Sequence, residues 1–578
     1  MLNRYYLQEL AALRDLGKEF AEANPAIASM LSGPTADPDV ERLLEGVAFL
    51  TALIREKLDD DFPEIVHDLV RLIWPHYLRP MPATSIVAFT PKASLKQPLT
   101  IPAGVQLASI PITNTTCLFR TSTEVQVHPL TLLKAAFIQP PGKSAAISLH
   151  FELKGMPLKN WQVDTLRIHL AGDYPEACDR YYVLNRYLRR LVLRAQEDER
   201  SCVLSREHLR PAGLAAGSGA LPYPGNAFPA YRLLQEYFAF PRNFLFVDIT
   251  GLDKWGQRGE GQRFELLLEL DDLPFPPPRI RTEDFLLFAT PVINLFAHEA
   301  DPIRLDHKRT EYRLTPAGGG NTDQLQIYSV DRVTGYIQGT ATPREYRHFD
   351  QFNRDILTGP VYNISQKQSP SRRRTDIYLS VAYPPQSGPP LPETLSIGLT
   401  CTNGALPERI QVGDICQPTS STPELVEFKN IIVPSAEILP PLGANVLWRL
   451  LAHLSLNHVS LTNIRNFQSL LGLYLFPDTQ DRSLLMANQK RIAGLEGLSS
   501  QGADRLVSGI MLRGREITCK ARADNFASRG DLYLFGSVLN EFFAVYASLN
   551  SFTRFVLYET ISGESISWPA RIGQQPLI

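Results

Sequence analysis

Apolar positions in the first eighty residues recur at helical spacing. Tyr6, Leu10, Leu13 and Phe20 fall on one side of a helix that Asn24-Pro25 is expected to end. Asp37-Pro38 then sets a capping residue before a proline at the first helical position, which is a strong start signal. Leu43, Val47, Leu50 and Ile54 follow at i, i+4, i+7 and i+11, the spacing of a packing seam. A third helix is predicted to open at Phe62-Pro63, to carry Ile65, Val66, Leu69, Val70 and Ile73, and to stop at Trp74-Pro75. These faces hold more apolar surface than a short segment buries alone, and no side chain suited to catalysis. Residues 1–80 therefore read as a helical bundle segment built to pack against helices, its own or a partner's.

Past Pro80-Met81-Pro82 the period changes. Ser85 to Phe89, Thr100 to Ile101 and Leu118 to Val127 read as strands, and the β-rich character lasts to about residue 170. Tyr174 to Arg190 is predicted helical, with Tyr181, Leu184, Leu188 and Leu191 on one face. Pro211 to Pro229, rich in Gly, Ala and Pro, is expected to be a mobile surface loop. Tyr231 to Phe238 reads as helix, and Asn243 to Ile249 and Arg263 to Leu270 as strands. Polar stretches at Ala317 to Gly320 and Gln366 to Arg374, and prolines 384, 385, 389, 390 and 392, mark loops or hinges in a β-rich middle. Val446 to Leu456 reads as an apolar helix and Arg505 to Ala523 as a hairpin turning at Arg513-Gly514. Asp531 to Leu549 is expected to be an amphipathic core helix with Phe535, Val538, Leu539, Phe542 and Tyr546 on one face, before a last strand near Phe555 to Leu557.

The fold class expected is α+β and multidomain, with an N-terminal α-helical bundle segment, a β-rich middle and a mixed α/β C-terminal region. The divisions expected are a helical partner-bundling segment at 1–80, a β-rich wing-like domain at 81–170 and a mixed α/β region at 171–300. A β-rich domain with mobile loops at 301–430 and an α+β domain at 431–578 complete the chain. No internal repeat is visible in the sequence.

Composition narrows the function classes. The 578 residues are 44% hydrophobic and 20% charged, ordinary for a globular protein. A net charge of −2 offers no overall basic balance for a phosphate backbone, so nucleic-acid binding is not expected. The charge is uneven: residues 1–80 hold 8 Lys+Arg against 14 Asp+Glu, leaving 50 against 46 in the rest. An acidic helical end on a weakly basic body suits either partner contacts or plain solvated faces. Cys117, Cys178, Cys202, Cys401, Cys416 and Cys519 are too scattered for a disulfide framework and include no C-x-x-C pair. Arg4, Glu9 and Arg14 interrupt what a signal peptide would need, and the longest charge-free run, Gln97 to Phe119, contains three prolines. The expectation is a cytoplasmic protein with no membrane insertion.

Candidate chemistry is sparse. His298 and His307 lie near Glu299, Asp301 and Asp306, but their spacing fits no metal signature, and a mixed-charge loop is expected instead. His453 and His458 lack the i, i+4 spacing of H-E-x-x-H. Asp59-Asp60-Asp61 lacks the alternation of a calcium loop and reads as acids at the start of the helix opening at Pro63. There is no G-x-S-x-G elbow, and Ala216 to Gly219 is too short for a phosphate loop. Arg372-Arg373-Arg374 lacks the aromatic interleaving of a nucleic-acid patch. No catalytic residue, cofactor site or metal site is expected. The candidate site is a partner-helix interface at Tyr6, Leu10, Leu13, Leu43, Val47, Leu50 and Ile54.

Several blocks carry a family resemblance. Tyr5-Tyr6-Leu7-Gln8-Glu9-Leu10, Asp37 to Gly46, Lys57 to Pro63 and Pro75-His76-Tyr77-Leu78 resemble the amino-terminal region of the TssF (ImpG/VasA) family of type VI secretion baseplate subunits. Leu234 to Pro241, Asn294-Leu295-Phe296, Pro302 to Asp306 and Tyr328 to Asp331 continue it, as do Cys401-Thr402-Asn403, Leu406-Pro407, Leu534 to Leu539 and Tyr546 to Phe552. The resemblance implies a structural wedge protein with two copies joined to one TssG, associated with TssE and TssK. It further implies self-association within and between wedges, contacts to spike and sheath, and docking to the membrane complex through other subunits. Against it stands a multidomain β-rich hydrolase or glycan-binding protein, which would be stable and monodisperse alone rather than rescued by a partner.

Overall fold

A computed structural model of the chain describes residues 5–7, 9–14, 16, 38–73, 77–142, 144–197, 201–215, 217–223, 229–318, 324–337, 342–349, 359–368, 375–383, 392–440, 463–476, 481–507, 510–545, 547 and 551–573. The chain divides into two compact units: Met1–Leu78 with Pro441–Ala452, and Arg79–Pro440 with His453–Ile578.

In the first unit, residues 5–7, 9–14 and 16 are helical, and one helix of 36 residues runs unbroken over Pro38–Ile73. The expected N-terminal helical bundle is thus not evident: the separate second and third helices are one. Pro63 lies inside the helix instead of opening a new one. An interior proline deletes one i→i−4 bond and crowds the preceding turn, at about 3 kcal/mol, but that penalty is local, and the turns on either side keep their own bonds. Asp59-Asp60-Asp61 accordingly lies within the helix and not at the start of one. The acids at the true first turn are Asp39 and Glu41, where the positive end of the helix favours them. Asn24-Pro25 and Trp74-Pro75 lie outside the described residues.

The second unit is strand-rich. A six-stranded sheet orders Ile415–Pro418, Gln106–Ile112, Thr115–Thr121, Ala289–Ile293, Thr84–Pro91 and Val426–Asn430 side by side, so strands far apart in sequence close one layer. A five-stranded sheet orders Ser201–Ser205, Leu188–Ala195, Arg263–Leu270, Ala146–Leu153 and Leu130–Ile138. Arg263–Leu270 shows why: Phe264, Leu266, Leu268 and Leu270 are all buried and alternate with half-buried or exposed positions, the period-2 signature of a strand. An eight-stranded sheet centres on Glu393–Thr402 and Gln326–Ile337, and its core gathers Leu395, Ile397, Leu399 and Cys401 from one face of one strand.

The carboxy-terminal sheet runs Leu495–Val507, Ile510–Ala521, Ser551–Glu559 and Ser565–Ser567, with Arg571–Ile572 beside Ser551–Glu559. Against it packs the central helix Arg529–Ala544, buried on every side rather than on one stripe. Gly530 makes its closest approach possible: a Cβ there would stand 2.1 Å from the carbonyl carbon of Cys178, in the helix Tyr174–Arg186.

Three further expectations change. The helix from Tyr174 ends at Arg186, and Leu188–Ala195 is a strand. Leu188 and Leu191, three apart, fit a helical face, but pairing with Arg263–Leu270 makes the segment a strand, and a register shift beside Leu270 lets both be buried. The hairpin does not turn at Arg513-Gly514: those residues lie within the second strand, opposite Asp504 and Ala503. Gly514 is there for close approach, since a Cβ would meet the Phe552 carbonyl oxygen at 2.3 Å. Pro211 to Pro229 is in part built into the body, with Ala212, Ser218 and Ala220 buried. Gln366 to Gln368 ends a strand, while residues 369–374, 384–391, 319–323, 441–462, 546 and 548–550 lie outside the described residues, and with them Arg372-Arg373-Arg374, the helix expected at Val446 to Leu456, and His453 and His458.

Candidate assembly interface

The long helix Pro38–Ile73 carries its apolar seam outward. Leu43 is 68% exposed, Leu50 61%, Ile54 59% and Val47 42%. At about 100° per residue these four fall within about 60° of one another, whereas the fully buried Ala48 and Ala52 lie about 150° round the helix. Leu53 is also exposed on the flank of the stripe, and Phe49 is exposed further round the helix. The amino-terminal part of the expected seam differs: Leu10 is buried and Tyr6 and Leu13 are half-buried. Arg14 pairs with Glu41, so this unit orders its own first helical residues on the long helix. What remains wet is a leucine-rich face with Asp39 beside it, while Glu41 and Glu45 fall on the alanine side of the helix.

The body unit, by contrast, hides its polar groups. Asp531, in the first turn of the central helix, is fully buried and accepts from Tyr174 Oη at 2.8 Å, Tyr237 Oη at 3.3 Å and the Ala527 amide at 3.1 Å. Arg491 closes the pair, Nη2 to Oδ2 at 2.9 Å and Nε to Oδ2 at 3.0 Å. Its Nη1 donates to Asn488 Oδ1 at 2.7 Å, and Asn488 Nδ2 donates to Phe238 O at 2.8 Å. The guanidinium stacks on Tyr174 and Tyr237, 5.5 and 5.6 Å from the ring centroids. Burial pushes both tyrosine hydroxyls well above their ordinary range, so they stay protonated and donate. Four helices drawn from residues 174 to 544 therefore meet on one carboxylate. Sequence reading missed this hub, and only its aromatic members stood out.

The resembling blocks sit on similar buried nodes. Glu236 accepts from the Leu221 amide and Asn243 Nδ2, both at 3.1 Å, and burial raises its carboxyl above the usual range. Asn294 Nδ2 donates to Leu118 O and to Asn403 Oδ1, both at 2.8 Å, and Asn294 Oδ1 accepts from the Asn403 amide at 2.7 Å. That pair ties the six-stranded sheet to the end of strand Glu393–Thr402. Thr402 in turn donates to Glu437 at 2.9 Å.

Groups with chemical potential are arranged otherwise than a catalytic relay requires. Ser148 Oγ, His150 Nε2 and Glu265 come together over a groove of about 570 Å³ on the five-stranded sheet. In a relay the carboxylate holds one imidazole nitrogen and the hydroxyl meets the other. Here Ser148 Oγ, at 3.0 Å, and Glu265 Oε1, at 3.7 Å, both face Nε2, and the serine donates to the carboxylate at 2.6 Å. His298 lies on a strand and bonds the Ala317 carbonyl at 2.8 Å, while Asp306 accepts from Tyr312 and the Lys308 amide. Among the described residues no group of three or more His, Cys, Asp or Glu is placed to hold a metal ion, and no helix is long and apolar enough to cross a membrane.

Comparison with known proteins agrees with a structural reading. Residues 1–575 match the family described as "Type VI secretion system, TssF". The chain is 31% identical over 621 aligned positions to the type VI secretion system component TssF1 of Pseudomonas aeruginosa, covering 100% of this chain and 99% of that protein. A chain in a cryo-electron-microscopy structure of the type VI TssK-TssF-TssG baseplate subcomplex superposes with a TM-score of 0.78 at 29% identity, covering 93% of this chain and 99% of that one. A chain of a type VI baseplate complex superposes with a TM-score of 0.64 at 28% identity, over the full length of both. The protein with the outward leucine stripe and the buried carboxylate hub belongs to the TssF family and is a structural component of the type VI secretion baseplate.

Proposed function

We propose that the chain works as a wedge subunit without catalytic turnover, two copies joining one TssG and the resulting core associating with TssE and TssK. In this reading it is cytoplasmic, meets spike and sheath, and reaches the membrane complex through other subunits. Residues 1–80 are the route to the helical partner. The observation that carries this is the exposed stripe of Leu43, Val47, Leu50 and Ile54. A fully buried aliphatic side chain contributes roughly 1.5–3 kcal/mol relative to an exposed one, so a partner helix laid on this face recovers several such contributions at once. Support comes also from the relatives: solved structures of the family hold TssF together with TssG and TssK.

Deleting residues 1–78 and co-expressing the remainder with TssG tests the reading. The expected result is a folded, soluble body that no longer co-purifies with TssG. A truncated chain that still retains TssG, or one that aggregates because those helices complete its own core, overturns it.

A further inference from the structure

Among the described residues one long sheet edge has no strand beside it. In the carboxy-terminal sheet, Leu495–Val507 pairs with Ile510–Ala521 on one side and stands last in the strand order. Its start is covered, since Gln468 Nε2 donates to Leu495 O at 2.8 Å. Beyond that, Gly497 to Ala503 carries neither charge nor proline. Natural edges are guarded by lysine, proline, bulges or shortness, because their unpaired amides and carbonyls template further pairing. Among the described residues the neighbouring strand is flanked by Ser551–Glu559 only from Arg513 onward, so the described tip of the hairpin is two-stranded, a form marginal on its own. Leu506 and Met511, opposite each other at that tip, are 66% and 64% exposed.

We propose that this edge pairs antiparallel with the same edge of a second copy of the chain, about a two-fold axis at Gly502. The proposal deepens the assembly reading above and rests on it. For two antiparallel strands related by a two-fold, the axis stands normal to the sheet, so opposed residues share a face and their numbers sum to an even value. About Gly502, Leu498 opposes Leu506, Ser500 opposes Asp504 and Ser499 opposes Arg505, each twice, with no like charges facing. Neighbouring registers are worse. An axis at Gln501 sets Leu498 against Asp504, and one at Ser500 sets Glu496 against Asp504, a destabilising like-charge pair. An axis at Ala503 sets Leu506 against Ser500.

The test uses the full chain co-expressed with TssG and carrying Gly502→Cys or, as control, Gly497→Cys. Both positions accept the side chain: nothing lies within 4 Å of a Cβ at Gly502, and the nearest atom at Gly497 is a Lys520 side-chain carbon at 3.6 Å. In the proposed pair the two residues 502 stand about 4.5–5.5 Å apart between Cα atoms, within the span a disulfide bridges, whereas the two residues 497 are about 33 Å apart. A reductant-sensitive dimer on a non-reducing gel, several-fold stronger for Gly502→Cys than for Gly497→Cys or the parent, is expected. Adding Leu506→Lys to Gly502→Cys should remove most of it. No dimer, or equal dimer from both cysteines, overturns the pairing. Co-purified TssG, read in the same sample, shows whether the baseplate reading stands when the pairing fails.

Discussion

Two helices of this chain solve the same problem in opposite ways. The central helix Arg529–Ala544 spends all its apolar surface inside its own unit and even draws a carboxylate, Asp531, in with it. The longer helix Pro38–Ile73 leaves leucines, a valine and an isoleucine in water along one stripe while burying two alanines on the far side. A buried charge survives because every lone pair of Asp531 is answered by Arg491, two tyrosines and a backbone amide. An exposed leucine stripe has no such internal answer. The first helix marks where the protein finishes itself; the second is the face proposed above for a partner.

The comparison breaks most sharply at the central helix. Asp531→Ala leaves Arg491 buried without its partner and should lower stability by about 3–5 kcal/mol. Replacing Asp531 and Arg491 together with leucine should recover much of that loss, because the isolated charge is gone. A denaturant titration giving Asp531→Ala the midpoint of the parent would show that the hub is open to solvent. Phe542→Ala, at a fully buried ring among Tyr231, Phe467 and Phe543, should also lose about 3–5 kcal/mol, through a cavity rather than a charge. A melt within a degree of the parent would remove this helix from the core.

Acid tests the buried interior of the strand-rich unit by a different route. His128 is buried against Trp161, whose Nε1 donates to His128 Nδ1 at 3.1 Å, and burial holds its pKa down to about 4. His169 is held to about 3 by burial and by Arg242 nearby. Both stay neutral in the fold, whereas in the unfolded chain they take up protons below about 6.5. The unfolded state then binds the extra protons, so stability falls as pH drops below about 6.5, by about 1.4 kcal/mol per pH unit for each histidine, until the folded pKa is reached. Urea midpoints at pH 7 and pH 5 should show the loss, and His128→Gln, which can still accept from Trp161, should reduce it. An unchanged midpoint across that range would mean that both rings are solvated.

Much of this was legible in the sequence wherever one period dominates. Arg263 to Leu270 reads as a strand and is one to the residue, because every second side chain is buried. Tyr231 to Phe238 and the central helix were visible as apolar helical runs, though both are buried on more sides than one stripe. Misreading entered where a register shift lets strand residues at helical spacing both be buried, as at Leu188 and Leu191, and where a glycine or proline serves packing or is absorbed rather than turning the chain, as at Gly514 and Pro63. The seam of Leu43, Val47, Leu50 and Ile54 was visible as a face, but periodicity cannot say whether a face is covered. The hub was invisible because its members lie at 174, 237, 491 and 531, and only folding brings them together.

The smallest expected change in stability comes from the stripe itself. Leu43, Leu50 and Ile54 are already 59% or more exposed, so changing all three to lysine removes little buried area within the chain. Surface substitutions of this kind usually fall within about 0.5 kcal/mol each, and lysine is a good helix former, so the melt should barely move. Association is another matter. Three ammonium groups set on a face that a partner helix must dehydrate cannot be buried unpaired, and TssG should no longer co-purify. The pairing of an unchanged melt with a lost partner is what distinguishes an outward face from a core. A melt lowered by several degrees would put the stripe inside this chain's own fold, and the contrast with the central helix would disappear.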